Sequence, residues 1–169
     1  MLKADKADKL IGMKQTLPRA GYTGRKAVLV DLDGTIADCS HRRQHVESKP
    51  KNWKAFNALM HLDAPINPIR SLVSMLHQAH NIVIICTGRE SVYRQETVQW
   101  LIQHKVAWHF MLMRHEKDYR EDPIVKSEML DSILEAGYDP WLVLDDRQRV
   151  VDMWRARGLT CLQVAPGDF

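Results

Sequence analysis

Five apolar segments recur along the chain and predict the strands of one sheet. Each is a continuous apolar run rather than an alternation of apolar and polar residues, which is typical of strands covered on both faces. They span residues 27–30, 81–86, 108–113, 141–144 and 160–164. Because helical patterns separate them, we expect right-handed crossovers and a parallel, doubly wound sheet. The pattern therefore predicts an α/β Rossmann-like layer sandwich.

The segments between these runs carry the spacing of amphipathic helices. Apolar residues recur three and four positions apart in 69–76, 129–134 and 150–154, which places them on one face of each helix. Gly158 directly after Arg157 predicts the end of the last helix.

Two segments fall outside this alternation. Residues 1–25 are polar and predict an N-terminal extension, followed by one domain over 26–169 that is long enough to bury a core. Residues 38–65 predict a small flap or minimal cap, with one helix around Trp53 to Leu62. Trp53 has two interpretations: it anchors this helix to the domain, or, flanked by lysines, it stacks on a base.

Composition and charge add weaker constraints. Apolar residues make up 45% and charged residues 27% of the chain, as in ordinary soluble domains. A net charge of +3 does not require a nucleic-acid partner but is compatible with a polyanionic substrate. The three cysteines show neither disulfide nor zinc spacing, which favours a cytoplasmic location. No apolar run approaches the ~20 residues of a membrane span, and the lysine-bearing start is not typical of a secretory signal.

Polar residues follow the predicted strands at the edge where open parallel sheets bind ligands. Asp31 and Asp33 lie two positions apart after the first strand, so their side chains should point the same way. Three further groups are expected at this edge: Thr87, Gly88 and Arg89; Asp122 and Lys126; and Asp145, Asp146 and Arg147. Because Mg²⁺ prefers carboxylates and substrate phosphate as ligands, the sequence predicts a magnesium site here.

These residues also predict phosphate chemistry. Asp31 could attack phosphorus and form an aspartyl-phosphate, while Asp33 protonates the leaving oxygen and later activates water. If its neighbours keep Asp33 protonated, the site with one Mg²⁺ becomes slightly positive and can receive a phosphate. We expect Gly34 to leave space for that phosphate. Thr87 would offer a hydroxyl, and Lys126 would neutralise charge on the phosphoryl oxygens.

The order of these groups resembles the four motifs of the haloacid dehalogenase (HAD) phosphotransferase superfamily: DLDGT at 31–35, TGR at 87–89, Lys126, and DDR at 145–147. From about Lys26 to Phe169 the chain is similar to the 3′-phosphatase domain of phage polynucleotide kinase-phosphatases, most specifically in its C-terminal third. For a phage-encoded protein, the expected location would be the host cytoplasm.

The resemblance implies a HAD-like three-layer fold with a mostly parallel sheet, and a Mg²⁺-dependent 3′-phosphatase acting on nucleic-acid ends or nucleotides. It implies that Asp31 is the nucleophile and Asp33 the general acid and base. Its metal ligands would be Asp31, the carbonyl of Asp33, and Asp146 with Asp145 beside it. Its two arginines would be Arg42 and Arg89, which contact the phosphate or, as an alternative, lie at the surface, and its Asp–Lys pair would be Asp122 and Lys126. The substrate-binding residues expected at this edge are Gly34, Thr35, Arg42, Gly88, Arg89 and Asp122. An alternative role for Asp122 is an N-cap followed by Pro123.

Two other functions stay open at this point. One is a small-molecule HAD phosphatase, such as a nucleoside 5′-monophosphatase. The other is a non-catalytic module that binds phosphorylated nucleic-acid ends, although binding alone has no need of Asp33. The sequence contains no GxxxxGK[ST] phosphate loop, so a separate kinase is a candidate partner. A homo-oligomer stays open as well.

Overall fold

The computed structural model describes residues 17–21, 24–47 and 49–167. Three short 3₁₀ helices connect other elements: Ser40–Arg42, Met60–Leu62 and Ser91–Tyr93. Those other elements are, in chain order, β1 (Arg25–Val30), β2 (Ala37–Asp38), α1 (Gln44–Glu47), α2 (Trp53–Ala58), β3 (Ala64–Pro65), α3 (Asn67–Gln78), β4 (Ile82–Glu90), α4 (Arg94–Gln103), β5 (Phe110–Arg114), α5 (Asp122–Glu135), β6 (Tyr138–Asp145), α6 (Gln148–Ala156) and β7 (Cys161–Gln163).

A parallel five-stranded sheet forms the centre of the fold, in the order β5-β4-β1-β6-β7. The central strand β1 pairs with β4 on one side and β6 on the other, so that Leu29 lies opposite both Ile84 and Val143. All five predicted strands are present, and the predicted α/β layer sandwich is confirmed. The strand order reverses beside β1, which is where open parallel sheets bind their ligands.

Helices cover both faces of the sheet because successive side chains of β1 point to opposite sides. Ala27 and Leu29 pack in one cluster with residues of α5 and α6, including the fully buried Trp154. Val28 and Val30 pack in a second cluster with residues of α3 and α4. Burial on both faces explains why the strands are continuous apolar runs in the sequence.

Strand β4 continues beyond its predicted end at residue 86 and runs to Glu90. Its register with β5 shifts between Thr87 and Glu90. The motif 87–89 therefore lies within the irregular end of the strand rather than after it. Such irregularities bend a strand locally and redirect its side chains, and here the shift accompanies the turn of Arg89 towards Asp33.

The insert leaves and rejoins the domain through a two-stranded antiparallel pair that the sequence did not predict. Ala37 pairs with Pro65, and Asp38 with Ala64. The predicted helix around Trp53 to Leu62 is split into α2 and the 3₁₀ helix Met60–Leu62. The side chain of Asn52 caps α2 by accepting a hydrogen bond from the Ala55 amide at 3.0 Å.

Part of the predicted N-terminal extension contacts the domain. Leu17 and Ala20 pack against the cluster on the α5–α6 face, and the Ala20 amide donates to the Ala136 carbonyl at 2.8 Å. The Tyr138 hydroxyl donates to the Pro18 carbonyl at 3.0 Å. Positions 1–16, 22 and 23 of the extension lie outside the described residues, and the division at residue 25 stays a prediction.

Two further features bear on the sequence analysis. All three cysteines are buried and unpaired, which agrees with their lack of disulfide spacing. Over the part of the chain that the structure describes, no helix has both the length and the apolarity needed to cross a bilayer.

Candidate active site

A cavity of about 430 Å³ opens where β1, β4 and β6 end. Its inner wall contains the four motif carboxylates and Lys126: Asp31, Asp33, Asp145, Asp146 and Lys126. The turn after β1 is fixed by the Leu32 carbonyl, which accepts hydrogen bonds from the amides of residues 35, 36 and 37 at 3.2, 3.0 and 2.8 Å. The Asp31 amide continues the sheet by donating to Leu144 of β6 at 2.9 Å.

Lys126 joins the first and last acidic motifs. Its Nζ lies 2.7 Å from Oδ1 of Asp31 and 2.8 Å from Oδ2 of Asp145, and all three side chains are buried. Burial raises the pKa of Asp31 well above its usual range; Asp145 and Asp146 add to this, and Lys126 opposes it. Burial alone would lower the pKa of Lys126, but the carboxylates of Asp145 and Asp31 outweigh it and raise that pKa. The two carboxylates therefore favour the charged form of this buried lysine.

Asp31, Asp145 and Asp146 form a group with ligand oxygens within 4.8 Å of one another. The Asp145 carboxylate accepts hydrogen bonds from Lys126, from Nε1 of Trp154 at 3.1 Å and from the Arg147 amide at 3.2 Å. By contrast, Oδ2 of Asp146 is buried and accepts no hydrogen bond from the described residues. Burial, and then Asp145, raise the pKa of Asp146 to about 6.

This donor set fits a divalent cation. A buried carboxylate oxygen without a hydrogen-bond partner is costly in a protein interior, and the acidic group around it carries repulsion that a cation would remove. Hard cations such as Mg²⁺ bind to one or two carboxylates together with substrate oxygens. Asp31 and Asp146 offer such oxygens to the cavity, whereas the oxygens of Asp145 already accept protein hydrogen bonds.

Two arginines hold the Asp33 carboxylate. Nη2 of Arg42 lies 2.6 Å from its Oδ1, and Arg89 contacts it through Nη2 at 2.5 Å and through Nε at 3.0 Å. Burial would raise the pKa of Asp33, but Arg89 and then Arg42 outweigh this effect and hold that pKa below its usual range. The suggestion that neighbours keep Asp33 protonated is therefore wrong, because its nearest neighbours are cations.

Asp63, in the insert, is a central residue of the site that the sequence analysis missed. Its buried carboxylate accepts from Nε and Nη2 of Arg42 at 2.7 and 2.6 Å, and from Nη2 of Arg89 at 2.9 Å. His41 lies 2.9 Å from the same carboxylate. Asp63 is 21 and 26 residues from the two arginines, so only an isolated aspartate between Leu62 and Ala64 marked it in the sequence.

Both arginines that the resemblance assigned to phosphate are buried against carboxylates. Arg42 is fully buried and Arg89 is only 3% exposed. Their guanidinium groups contact Asp33 and Asp63. Arg42 does not line the cavity, so the phosphate contact that the resemblance implied finds no support there. Arg89 does line the cavity, and its phosphate contact stays a prediction.

The structure also corrects the role of Gly34. It has a φ of +90°, and a Cβ at this position would lie 2.2 Å from Oδ2 of Asp146, so the glycine leaves space for that carboxylate rather than for a phosphate. Thr35 is fully buried, and its hydroxyl lies 3.5 Å from Oδ1 of Asp146. The Thr87 hydroxyl is buried and accepts from the Arg89 amide at 3.2 Å. Gly88 lines the cavity, and a Cβ there would lie 2.9 Å from Oδ1 of Asp122.

Asp122 lies in the cavity wall between two arginines, Arg114 and Arg147, and forms ion pairs with both. These cations outweigh burial, which alone would raise its pKa, so the pKa of Asp122 is lowered. The N-cap alternative is wrong, because Glu121 is the N-cap of α5 and Asp122 is its first residue. Arg114, at the end of β5, was not identified from the sequence.

Comparisons with known proteins place this geometry among phosphatases. A sequence model described as the polynucleotide kinase PNKP phosphatase domain matches residues 25–169. A chain in the structure of the Pnkp1/Rnl/Hen1 RNA repair complex is 33% identical, with a TM-score of 0.73, over 93% of this chain and 48% of that chain. A protein of Autographa californica nuclear polyhedrosis virus, provisionally named a bifunctional polynucleotide kinase/RNA ligase, is 26% identical over 132 residues, which are 77% of this chain and 18% of the viral protein. The chain thus spans less than half the length of both relatives.

Two solved structures of lower sequence identity share the fold. The class C acid phosphatase from Bacillus anthracis is 13% identical, with a TM-score of 0.63, over 87% of this chain and 68% of that chain. A haloacid dehalogenase-like protein from Streptococcus pneumoniae is 14% identical, with a TM-score of 0.54, over 83% of each chain. The predicted HAD-like α/β sandwich is therefore confirmed.

We predict that Gly34→Ala weakens divalent-cation binding at least tenfold. The added Cβ would displace the Asp146 carboxylate, and the positive φ would strain the turn by about 1–3 kcal/mol. Gly158→Ala is the matched control, because Gly158 has a φ of +83° but open space around its Cβ position. Isothermal titration calorimetry measures the affinity; equal affinity in both variants would show that Asp146 does not depend on this space.

We predict that Asp63→Asn lowers the free energy of unfolding by about 3–5 kcal/mol, because two buried guanidinium groups lose a shared counter-charge. Urea denaturation measures the change. Asp131→Asn, which removes a half-exposed partner of Arg157, should cost less than about 1 kcal/mol. A loss at Asp63 no larger than that at Asp131 would contradict the assigned contacts.

Proposed function

The chain belongs to the family of polynucleotide kinase PNKP phosphatase domains and is a HAD-type phosphatase, and from this premise we propose that it removes 3′-phosphates from nucleic-acid ends in a Mg²⁺-dependent reaction. One observation supports this most strongly. Asp31 contacts a buried lysine at 2.7 Å and lies in the same acidic group as Asp146, one oxygen of which accepts no hydrogen bond within the described part of the chain.

In the proposed reaction, Asp31 attacks the phosphorus atom of the monoester. A bond forms between Asp31 and phosphorus, and the bond from phosphorus to the 3′ oxygen breaks. Asp33, which the two arginines favour in its ionised form, would take up a proton from solvent when the negatively charged phosphate binds beside it. It would give this proton to the leaving oxygen, which becomes a 3′-hydroxyl. Water then attacks the aspartyl-phosphate and Asp33 takes a proton from the water. As inorganic phosphate leaves, Asp33 releases that proton to solvent, and both aspartates return to their starting forms.

Mg²⁺ would be held by Asp31, the carbonyl of Asp33 and Asp146, with Asp145 beside them. When bound, it would neutralise negative charge on the acidic group and on the phosphate. Lys126 supplies a second, fixed positive charge against Asp31. Electrostatic positioning of this kind commonly accounts for most of the stabilisation of a phosphoryl-transfer transition state.

Arg42 and Arg89 would position the acid–base residue. Their contacts restrict the Asp33 carboxylate and favour its ionised form, which is the form that takes a proton from water. Asp63 restrains the two arginines from the insert. In this way the insert would contribute to the second half of the reaction.

The proposed substrate class rests on the family and on the names of its relatives. One relative occurs in an RNA repair complex, and another carries the name of a polynucleotide kinase/RNA ligase. Both names connect such domains with nucleic-acid ends, and they make a kinase acting on the same ends a reasonable partner for this chain. Homo-oligomerisation and a cytoplasmic location stay predictions.

We predict that Asp31→Asn lowers kcat/KM for a 3′-phosphorylated oligonucleotide at least about a thousandfold, because the amide is a poor nucleophile and the step has no replacement. Phosphate release is the measurement. Asp152→Asn, at an exposed position of α6, serves as the control and should keep full activity. Activity surviving in Asp31→Asn would refute the nucleophile, and faster release from 5′-mononucleotides would favour the small-molecule phosphatase instead.

We also predict that chelation with EDTA abolishes phosphate release and that added Mg²⁺ restores it. Asp146→Asn should raise the Mg²⁺ concentration for half-maximal rate at least tenfold, because it removes the charge of a buried carboxylate whose Oδ2 accepts no hydrogen bond from the described residues. A Mg²⁺ titration of wild-type and variant proteins measures this shift. An unchanged titration would remove Asp146 from the ligand set, and full activity in EDTA would contradict the metal dependence.

A further inference from the structure

The cavity extends well beyond the motif carboxylates. Its outer wall is built from two separate segments, the insert and the connection from β5 to α5, which contribute Lys51, Trp53, Asn57, Tyr119 and Arg120. A volume of about 430 Å³ is in the range of sites that bind whole organic ligands. A phosphate group alone would leave most of it empty.

Trp53 lines this outer part and is fixed relative to the reacting groups. Its indole is 48% exposed and packs edge-on against Phe56, with ring centroids 5.8 Å apart at an interplanar angle of 87°. The Phe56 ring covers the Arg42 guanidinium at 4.0 Å, and Arg42 contacts Asp33. Trp53 thus serves as an anchor of α2 while its exposed surface faces the cavity.

Tyr119 lines the same cavity from the other segment and is 87% exposed. The turn that carries it is braced on both sides. Nη1 of Arg114 donates to the carbonyls of Asp118 at 2.9 Å and Arg120 at 2.7 Å. Arg120 also forms ion pairs with Asp118 and Glu128. The turn is therefore fixed by hydrogen bonds and ion pairs, while the Tyr119 ring that it carries is exposed to solvent and buries almost none of its surface.

The charged residues of the outer wall are mostly paired with one another. Arg120 contacts Asp118, Arg149 lies 3.7 Å from Glu121, and Asp122 is shared by two arginines. Little net charge is left to attract a polyanion through its backbone. The exposed aromatic rings are the remaining feature of this wall that could bind a nucleic-acid strand. Every nucleobase presents a face on which such rings can stack.

We propose that Trp53 and Tyr119 stack on two different bases of the phosphorylated strand. This proposal rests on the proposed function and deepens it, because it makes a single-stranded 3′ end of at least two nucleotides the substrate, in preference to a mononucleotide. Lys51, whose Nζ lies 5.5 Å from the centroid of the Trp53 ring, places a positive charge where a backbone phosphate would pass. Stacking is independent of base identity, so the enzyme would act on ends of any sequence.

The test compares three substrates that share a secondary phosphate monoester: glycerol 2-phosphate without a base, thymidine 3′-phosphate with one, and 3′-phosphorylated pentathymidylate. The variants are Trp53→Ala, Trp53→Phe, Tyr119→Ala and Tyr119→Phe. Trp141→Ala is the control, since Trp141 is 42% exposed and lies outside the cavity wall. The readout is the ratio of kcat/KM for each nucleotide substrate to kcat/KM for glycerol 2-phosphate, which a general loss of folded enzyme would not change.

We expect each alanine variant to lower the ratio for pentathymidylate by roughly five- to a hundredfold, as the loss of one base stack should. The phenylalanine variants should keep most of the wild-type ratio for pentathymidylate, and Trp141→Ala should keep all of it. Only one alanine variant should also lower the ratio for thymidine 3′-phosphate, because the two rings contact different bases.

Unchanged ratios in Trp53→Ala and Tyr119→Ala, with a wild type that prefers pentathymidylate, would overturn the stacking proposal alone. Equal losses of both variants on thymidine 3′-phosphate would overturn the assignment to two bases. A wild type that hydrolyses glycerol 2-phosphate as well as pentathymidylate would overturn the proposed nucleic-acid function together with this inference. Tyr119→Ala keeps the test informative if Trp53→Ala loosens the insert, because the exposed Tyr119 ring supports no part of the core.

Discussion

Everything at this site depends on holding several carboxylates together in the interior of the protein. Oxygens of Asp31, Asp145 and Asp146 lie within 4.8 Å of one another, a separation at which two like charges repel by about 3 kcal/mol at the effective dielectric of a protein. Lys126 offsets part of this repulsion by contacting two of the three. The third, Asp146, keeps an oxygen that accepts no hydrogen bond from the described residues and lies 3.9 Å from Nη2 of Arg43. The fold thus leaves a deficit of positive charge at one defined place, and that deficit is what a metal ion and a catalytic cycle would use.

The second half of the site is built by the insert, which is therefore more than a cover over the sheet. Asp63 and Asp33 share the guanidinium groups of Arg42 and Arg89, and Nε1 of Trp100 in α4 donates to the Asp63 carbonyl at 2.8 Å. The insert is tied in this way to both Asp33, the proposed acid–base residue, and the core. A change in the insert would consequently reach the reacting groups as well as the substrate.

The sequence predicted what arises from local pattern and failed where roles arise from contacts across the chain. Continuous apolar runs located all five main strands because those strands are buried on both faces. The strands β2 and β3 have only two residues each, which is too short to show an alternation of apolar and polar residues, so no pattern in the sequence predicted them. Asp63 and Arg114 have no motif, since their importance comes only from the arginines and the carboxylate that they meet in the fold. The ionised form of Asp33 could not be inferred either, because spacing does not reveal which cations lie beside a carboxylate.

The pairing of charges on the outer wall has a consequence for turnover. A protein that neutralises many backbone phosphates gains affinity from counterion release and holds every strand tightly, whether or not its end carries a phosphate. Here the outer arginines are paired with Asp118, Glu121 and Asp122, so this contribution is small. Stacking on one or two bases adds affinity that is modest and local. A phosphorylated end would then be favoured by a metal ion bound at the charge deficit of the inner wall, and a strand that has lost its phosphate would retain only the stacking contacts and leave.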